Sequence, residues 1–181
     1  MNRVKMLVAV LAVLAAAVTY GSWIYPDQAK GGGVDFDPDT ISGDDELKKL
    51  AANCDRDCDP ISKIWYNNGI WWYYGNPSHG IRPYMLIRFT KPAGFTGGTM
   101  HWKAKTDSNN PVYIYAWNHN DHDFDPEGSI PASENPSEAT FAVGGGTSRW
   151  DAAGYMYILI KGISVSPSWW ELDCDICAVS Y

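Results

Sequence analysis

The sequence has no N-x-[ST] sequon with x other than proline, so it gives no hint of N-glycosylation. It has no Gly-x-Ser-x-Gly elbow to present a nucleophilic serine. Beyond residue 53 it has no sustained helical period. Positive charge is short: 14 Lys and Arg against 21 Asp and Glu give a net charge of −7 and a pI near 4.9. Phosphate backbones need a basic footprint, so nucleic acid is not an expected partner. Cysteine and histidine are sparse, at four each. An organic cofactor is not expected, because no motif for one is present.

Long apolar runs are also missing, apart from residues 6–18, MLVAVLAVLAAAV. Arg3 and Lys5 precede it, and Ala15 and Ala17 fit an A-x-A cleavage pattern. This is the form of an export signal. The continuation TYGSWIY brings the run toward the ~20 residues that span a bilayer, with Trp23 and Tyr25 suited to the interface. Residues 1–25 therefore read as a signal peptide or, if uncleaved, a membrane anchor. Either reading sends the bulk of the chain to the extracellular space or cell surface. Contact with membrane is expected only through this segment.

Residues 26–53 read as an acidic Gly/Asp-rich linker that ends in a short helix, DELKKLAAN (45–53), capped by Asp44 or Asp45. Residues 54–181 read as the folded domain. Short strands are expected at 63–67, 69–75, 82–90, 98–106, 111–118, 139–144, 154–162 and 169–180, separated by turn-forming stretches. The fold class this predicts is all-β: an antiparallel β-sandwich, jelly-roll-like. Alternation puts Met85, Ile87 and Phe89 on one face, and Met156, Ile158 and Ile160 inward with Tyr155, Tyr157 and Lys161 outward. The same parity puts Cys174 and Cys177 on opposite faces.

In an exporting context an even cysteine count points to disulfides. Two bridges are expected between the Cys54/Cys58 segment and the Cys174/Cys177 strand. Four thiolates also suit zinc, but opposite faces for Cys174 and Cys177 oppose convergence on one ion.

Eleven of the 21 acids fall in two windows, 35–46 and 121–134. Calcium takes carboxylates at alternating positions of a short loop, then a later bidentate one. Asp123, Asp125, Glu127, Gly128 and Glu134 follow that spacing. Asp35, Asp37, Asp39 and Glu46 follow it more loosely. Both windows resemble EF-hand and dockerin loops, and Ca2+ is the one cofactor the sequence suggests. The plain reading is an acidic turn and a solvated linker.

Aromatics make up 14% of the chain, more than one small core consumes. Trp71, Trp72, Tyr73 and Tyr74 form one dense run, and Tyr113, Tyr115 and Trp117 form a single-face stripe. Exposed, such rows offer stacking surfaces for sugar rings; buried between chains, they anchor an interface.

The strands AGYMYILIKG and WWELDCDICAVSY resemble the closing strands of galactose-binding-like, carbohydrate-binding-module sandwiches. The resemblance spans residues 63–181 and implies a secreted, non-catalytic domain that binds glycans, often with structural calcium. The alternative is a structural subunit of an extracellular filament, sheath or surface layer, which would bind itself or other surface proteins. A small secreted hydrolase is the third reading.

Overall fold

The computed structural model describes residues 22–34, 44–52, 54–58, 61–65, 72–76, 82–106, 111–131, 133, 135–162 and 170–181. The apolar segment 6–18 lies outside the described residues, as do Asp35, Asp37, Asp39, Trp71 and Glu134. Of Glu46, Trp72, Tyr73 and Tyr74 only the backbone placement is described. Among the described residues no helix is long and apolar enough to cross a membrane.

In chain order the elements are β1 (Trp23–Ile24), β2 (Pro26–Val34), α1 (Asp44–Ala52), β3 (Cys54–Asp57), a 3₁₀ turn (Ile61–Ile64), β4 (Trp72–Asn76), β5 (Arg82–Thr90), β6 (Gly97–Thr106), β7 (Val112–Asn118), β8 (Asp123–Ile130), β9 (Ser137–Gly144), β10 (Tyr155–Gly162) and β11 (Trp170–Ser180). One sheet runs β1-β11-β6-β9, with β4 also paired to β11. The other runs β3-β2-β5-β10-β7-β8. The ladders are antiparallel, as the alternating pattern requires. The protein is a two-sheet β-sandwich.

Inner faces meet in one cluster. The six-stranded sheet contributes Met85, Ile87, Phe89, Ile114, Met156, Ile158 and Ile160. The other sheet contributes Met100, Trp102, Ala104 and Val179. The β5 residues read as sharing one face and the β10 residues read as inward are all here. Gly98 allows the backbones to close up: a Cβ there would lie 2.3 Å from the Ser180 carbonyl oxygen.

Four segments depart from the sequence reading. Pro26–Val34, expected as linker, is a strand on β5, with Ala29 opposite Ile87 and Gly31 opposite Met85. Its glycines have weak strand preference, and pairing to a central strand overrides it. Cys54–Asp57 pairs in turn with β2. The strand expected at 63–67 is a 3₁₀ turn through Ile64, and Trp65 donates its indole N–H to Pro26 O at 3.1 Å. Asp123–Ile130 is also a strand, and Pro126 is tolerated because β8 lies at the sheet edge.

A bulge overturns the parity argument for the last strand. Cys174 pairs with Ala104, but Ile176 already pairs with Lys103 and Cys177 with Trp102. Asp175 is the extra residue. Both Cys174 and Cys177 therefore face the inner core, fully buried.

Candidate functional site

The outer face of the six-stranded sheet is divided by α1. Leu50 of α1 is fully buried against Tyr84, Leu86, Trp117, Phe124 and Leu159. A second, smaller core thus forms on the outside of the sandwich. The Tyr84 hydroxyl donates to Leu50 O at 2.6 Å, which ties the helix to β5.

This roof decides the fate of the predicted aromatic stripe. Trp117 is fully buried and meets Phe124 edge-on at 4.8 Å, so it is no stacking platform for a ligand. Tyr115 and Tyr113 are half-buried. Tyr115 packs on the outer cluster, with the Lys161 ammonium 5.9 Å from its ring centre.

The open part of this face lies at the other end of β10. Here a hollow of about 300 Å³ is lined by Leu47, Lys48, Ala51, His119, Asp151 and Tyr157. The His119 ring centre is 6.5 Å from that of Tyr157. His119 is fixed by its backbone N–H, which donates to Ser148 O at 2.8 Å. Asp151 organises the turn before β10. Its Oδ1 accepts the backbone N–H of Ala153 at 2.9 Å and of Tyr155 at 2.8 Å. The turn closes at Gly154, whose φ of +81° suits glycine and strains other residues.

Beside the hollow, the Arg88 guanidinium lies 4.5 Å over the Tyr155 ring. Its Nε donates to Asp27 Oδ1 at 2.8 Å, and the Thr90 hydroxyl bonds the other oxygen of Asp27. Burial works to lower the Arg88 pKa, but Asp27 outweighs it and the net shift is upward. Burial raises the Tyr157 pKa, Asp151 adds to this, and Arg88 opposes both. Tyr157 is therefore a neutral phenol at physiological pH, able to donate as well as accept.

None of these hollow and rim residues was in the predicted site. Outward parity for Tyr155 and Tyr157 was the available signal. What hid the site is long-range: Arg88, His119, Asp151 and Lys48 come from four separate elements and loops.

The acidic stretch 123–134 does not form a loop over its first eight residues. Asp125 and Glu127 alternate on a strand, and Arg149 bridges them. Its Nη1 is 2.9 Å from Asp125 Oδ2 and 3.0 Å from Ala116 O, and its Nη2 bonds Glu127. Asn118 Nδ2 also donates to Asp125 at 3.0 Å and to Asp121 at 2.7 Å. Asp123 is exposed and accepts the Phe124 N–H at 2.7 Å. Burial raises the Glu127 pKa, with Arg149 opposing. Among the described residues, no group of three or more His, Cys, Asp or Glu side chains is placed to hold a metal ion. Arg149 supplies positive charge to both carboxylates. Arg149→Ala is expected to cost about 2 kcal/mol, the scale of losing charge-assisted hydrogen bonds in a half-buried setting. A thermal melt in calcium and then in EGTA tests the calcium expectation, which also involves Glu134, Asp35, Asp37 and Asp39, outside the described residues. A rise that EGTA reverses and that Asp125→Ala removes would place calcium at this strand; no shift would leave Arg149 as the partner of both carboxylates.

No disulfide links the four cysteines. Cys58, Cys174 and Cys177 belong to the inner cluster. Cys54 packs in the outer one, where its thiol donates to Leu50 O at 3.3 Å. The two-bridge expectation is thereby corrected: the six-stranded sheet separates Cys54 from both Cys174 and Cys177. Burial, with neighbouring Cys177 and Cys58, pushes the Cys174 thiol far up, and burial does the same to Cys177. Both are protonated and unreactive at neutral pH.

No protein-family model and no curated protein matches the chain. Among solved structures, the sandwich is similar to carbohydrate-binding modules at low identity. A CBM4 structure is 12% identical with a TM-score of 0.43, covering 64% of this chain and 87% of that one. TmCBM61, in complex with β-1,4-galactotriose, is 7% identical with a TM-score of 0.45, covering 87% and 90%. The family 29 module CBM29-2 is 16% identical with a TM-score of 0.37, covering 65% and 82%.

Proposed function

We propose that the chain is an exported, non-catalytic sandwich that binds a glycan in the hollow beside α1. The observation that carries this is the half-exposed Tyr157, set with His119 between Lys48 and Asp151 around about 300 Å³. A pyranose needs an apolar ring face to stack on and polar groups at its edge to meet hydroxyls. Tyr157 and His119 supply rings; Lys48, Asp151 and the phenol supply donors and acceptors. The apolar segment 6–18 and the acidic charge fit an extracellular or cell-surface setting. The proposal moves the ligand contact from Trp117 to Tyr157.

The test is calorimetric titration of the full chain with β-1,4-linked galacto-, manno- and cello-oligosaccharides. Binding to at least one is expected, and Tyr157→Ala is expected to weaken it at least tenfold, about 1.4 kcal/mol. Tyr157→Phe separates the hydroxyl from the ring and is expected to lose less. No binding to any of the three sinks the reading. Self-association that Trp23→Ser removes would instead favour an assembly subunit, since Trp23 and Tyr181 are the exposed large hydrophobics among the described residues.

A further inference from the structure

We infer that the hollow takes the end of a glycan chain, one neutral terminal ring, rather than the interior of a long polysaccharide. This rests on the proposed glycan function and deepens it.

A module that grips a chain along its length needs an uninterrupted line of open ring faces. Here the line is blocked on both sides of Tyr157. Two residues along β10 in one direction is Leu159, fully buried beneath α1. Two residues in the other is Tyr155, whose ring carries the Arg88 guanidinium at 4.5 Å. The rise along a strand is about 3.3 Å per residue, so the gap between these blocks is roughly 13 Å from Tyr155 to Leu159. The open aromatic surface within it belongs to Tyr157 and His119.

The roof is fixed and does not act as a gate. Leu50 is packed into the outer cluster, and its carbonyl accepts from both Tyr84 and Cys54. A chain entering over the rim would meet α1 as a wall, with Leu47, Lys48 and Ala51 as its face. Charge points to a neutral sugar. Among the described residues the lining carries one cation, Lys48, and one carboxylate, Asp151, while Arg88 at the rim is paired with Asp27.

The experiment compares a triose, a hexaose and the parent polymer of whichever β-1,4 series binds, using the full chain. For a chain-end site, affinity per chain is expected to agree within about twofold between triose and hexaose. The polymer is expected to bind one protein per chain end, so saturation falls as chain length rises at equal mass. Ala51→Trp places a ring in the hollow from the exposed helix surface, and is expected to reduce binding at least tenfold with an unchanged melting temperature. Affinity that climbs tenfold or more from triose to hexaose, with several proteins bound per polymer, would overturn the chain-end inference while leaving glycan binding intact. Binding that survives Ala51→Trp would also overturn it. Absence of binding to every length removes the glycan reading itself.

Discussion

Lys103→Met is expected to lower the unfolding free energy by about 3 kcal/mol, measured by urea denaturation of the full chain. Asp175 is fully buried at the β11 bulge, and Lys103 Nζ lies 3.1 Å from its Oδ2. Methionine keeps the length of the lysine stem and removes only the charge, so packing loss is small. What remains is a buried carboxylate that has lost the Lys103 ammonium, which costs far more than an exposed pair is worth. The double variant Lys103→Met, Asp175→Leu is expected to recover most of the loss, because it also removes the buried carboxylate. A single-variant effect below 1 kcal/mol would show that the ion pair does not hold the bulge. There is a second readout. With the bulge in place both Cys174 and Cys177 face inward and resist alkylation. A strand that regularises would turn one of them to the opposite face, so Lys103→Met is expected to speed labelling at one of the two positions.

That bulge marks where local reading of the sequence ends. Alternation put Met85, Ile87 and Phe89 of RPYMLIRFT on one face and Met156, Ile158 and Ile160 of GYMYILIKG inward, and all six lie in the inner core, because regular strands preserve parity over their length. In WELDCDICAVS one inserted residue reverses parity halfway, and nothing in the residues around Asp175 announces it. The glycine-rich Pro26–Val34 failed for a related reason. Its strand state comes from pairing with β5, some sixty positions away, and not from its own composition. The acidic stretch 123–134 shows how one spacing fits two structures. Its spacing matched a calcium loop, but alternating acids on a strand have the same period, and Arg149 was too distant in sequence to count as their partner. For the candidate site, aromatic content and outward parity were legible. Which aromatics stay open was not, because α1 covers Trp117 and leaves Tyr157.

Leu50→Ala is the substitution that tests that covering directly. A nine-residue helix has little stability of its own in water, so α1 depends on the surface it buries. Leu50 is fully enclosed by side chains from β5, β7, β8 and β10. Truncation removes three carbons from that site and leaves a cavity that a helix tied through its own Leu50 carbonyl cannot easily collapse. The expected cost is about 3 kcal/mol, within the range for buried leucines. The loss should be local before it is global. The inner cluster contains neither Leu50 nor its neighbours, so exchange protection should fall first in the α1 amides, while β5 and β10 stay protected. The functional consequence follows from the same geometry. Leu47, Lys48 and Ala51 are the wall that stops a chain beyond Tyr157. If α1 is loosened, the discrimination between triose and hexaose should weaken even where Tyr157 still stacks. Equal protection of α1 in parent and variant would mean the helix is held by something other than Leu50, and the wall with it.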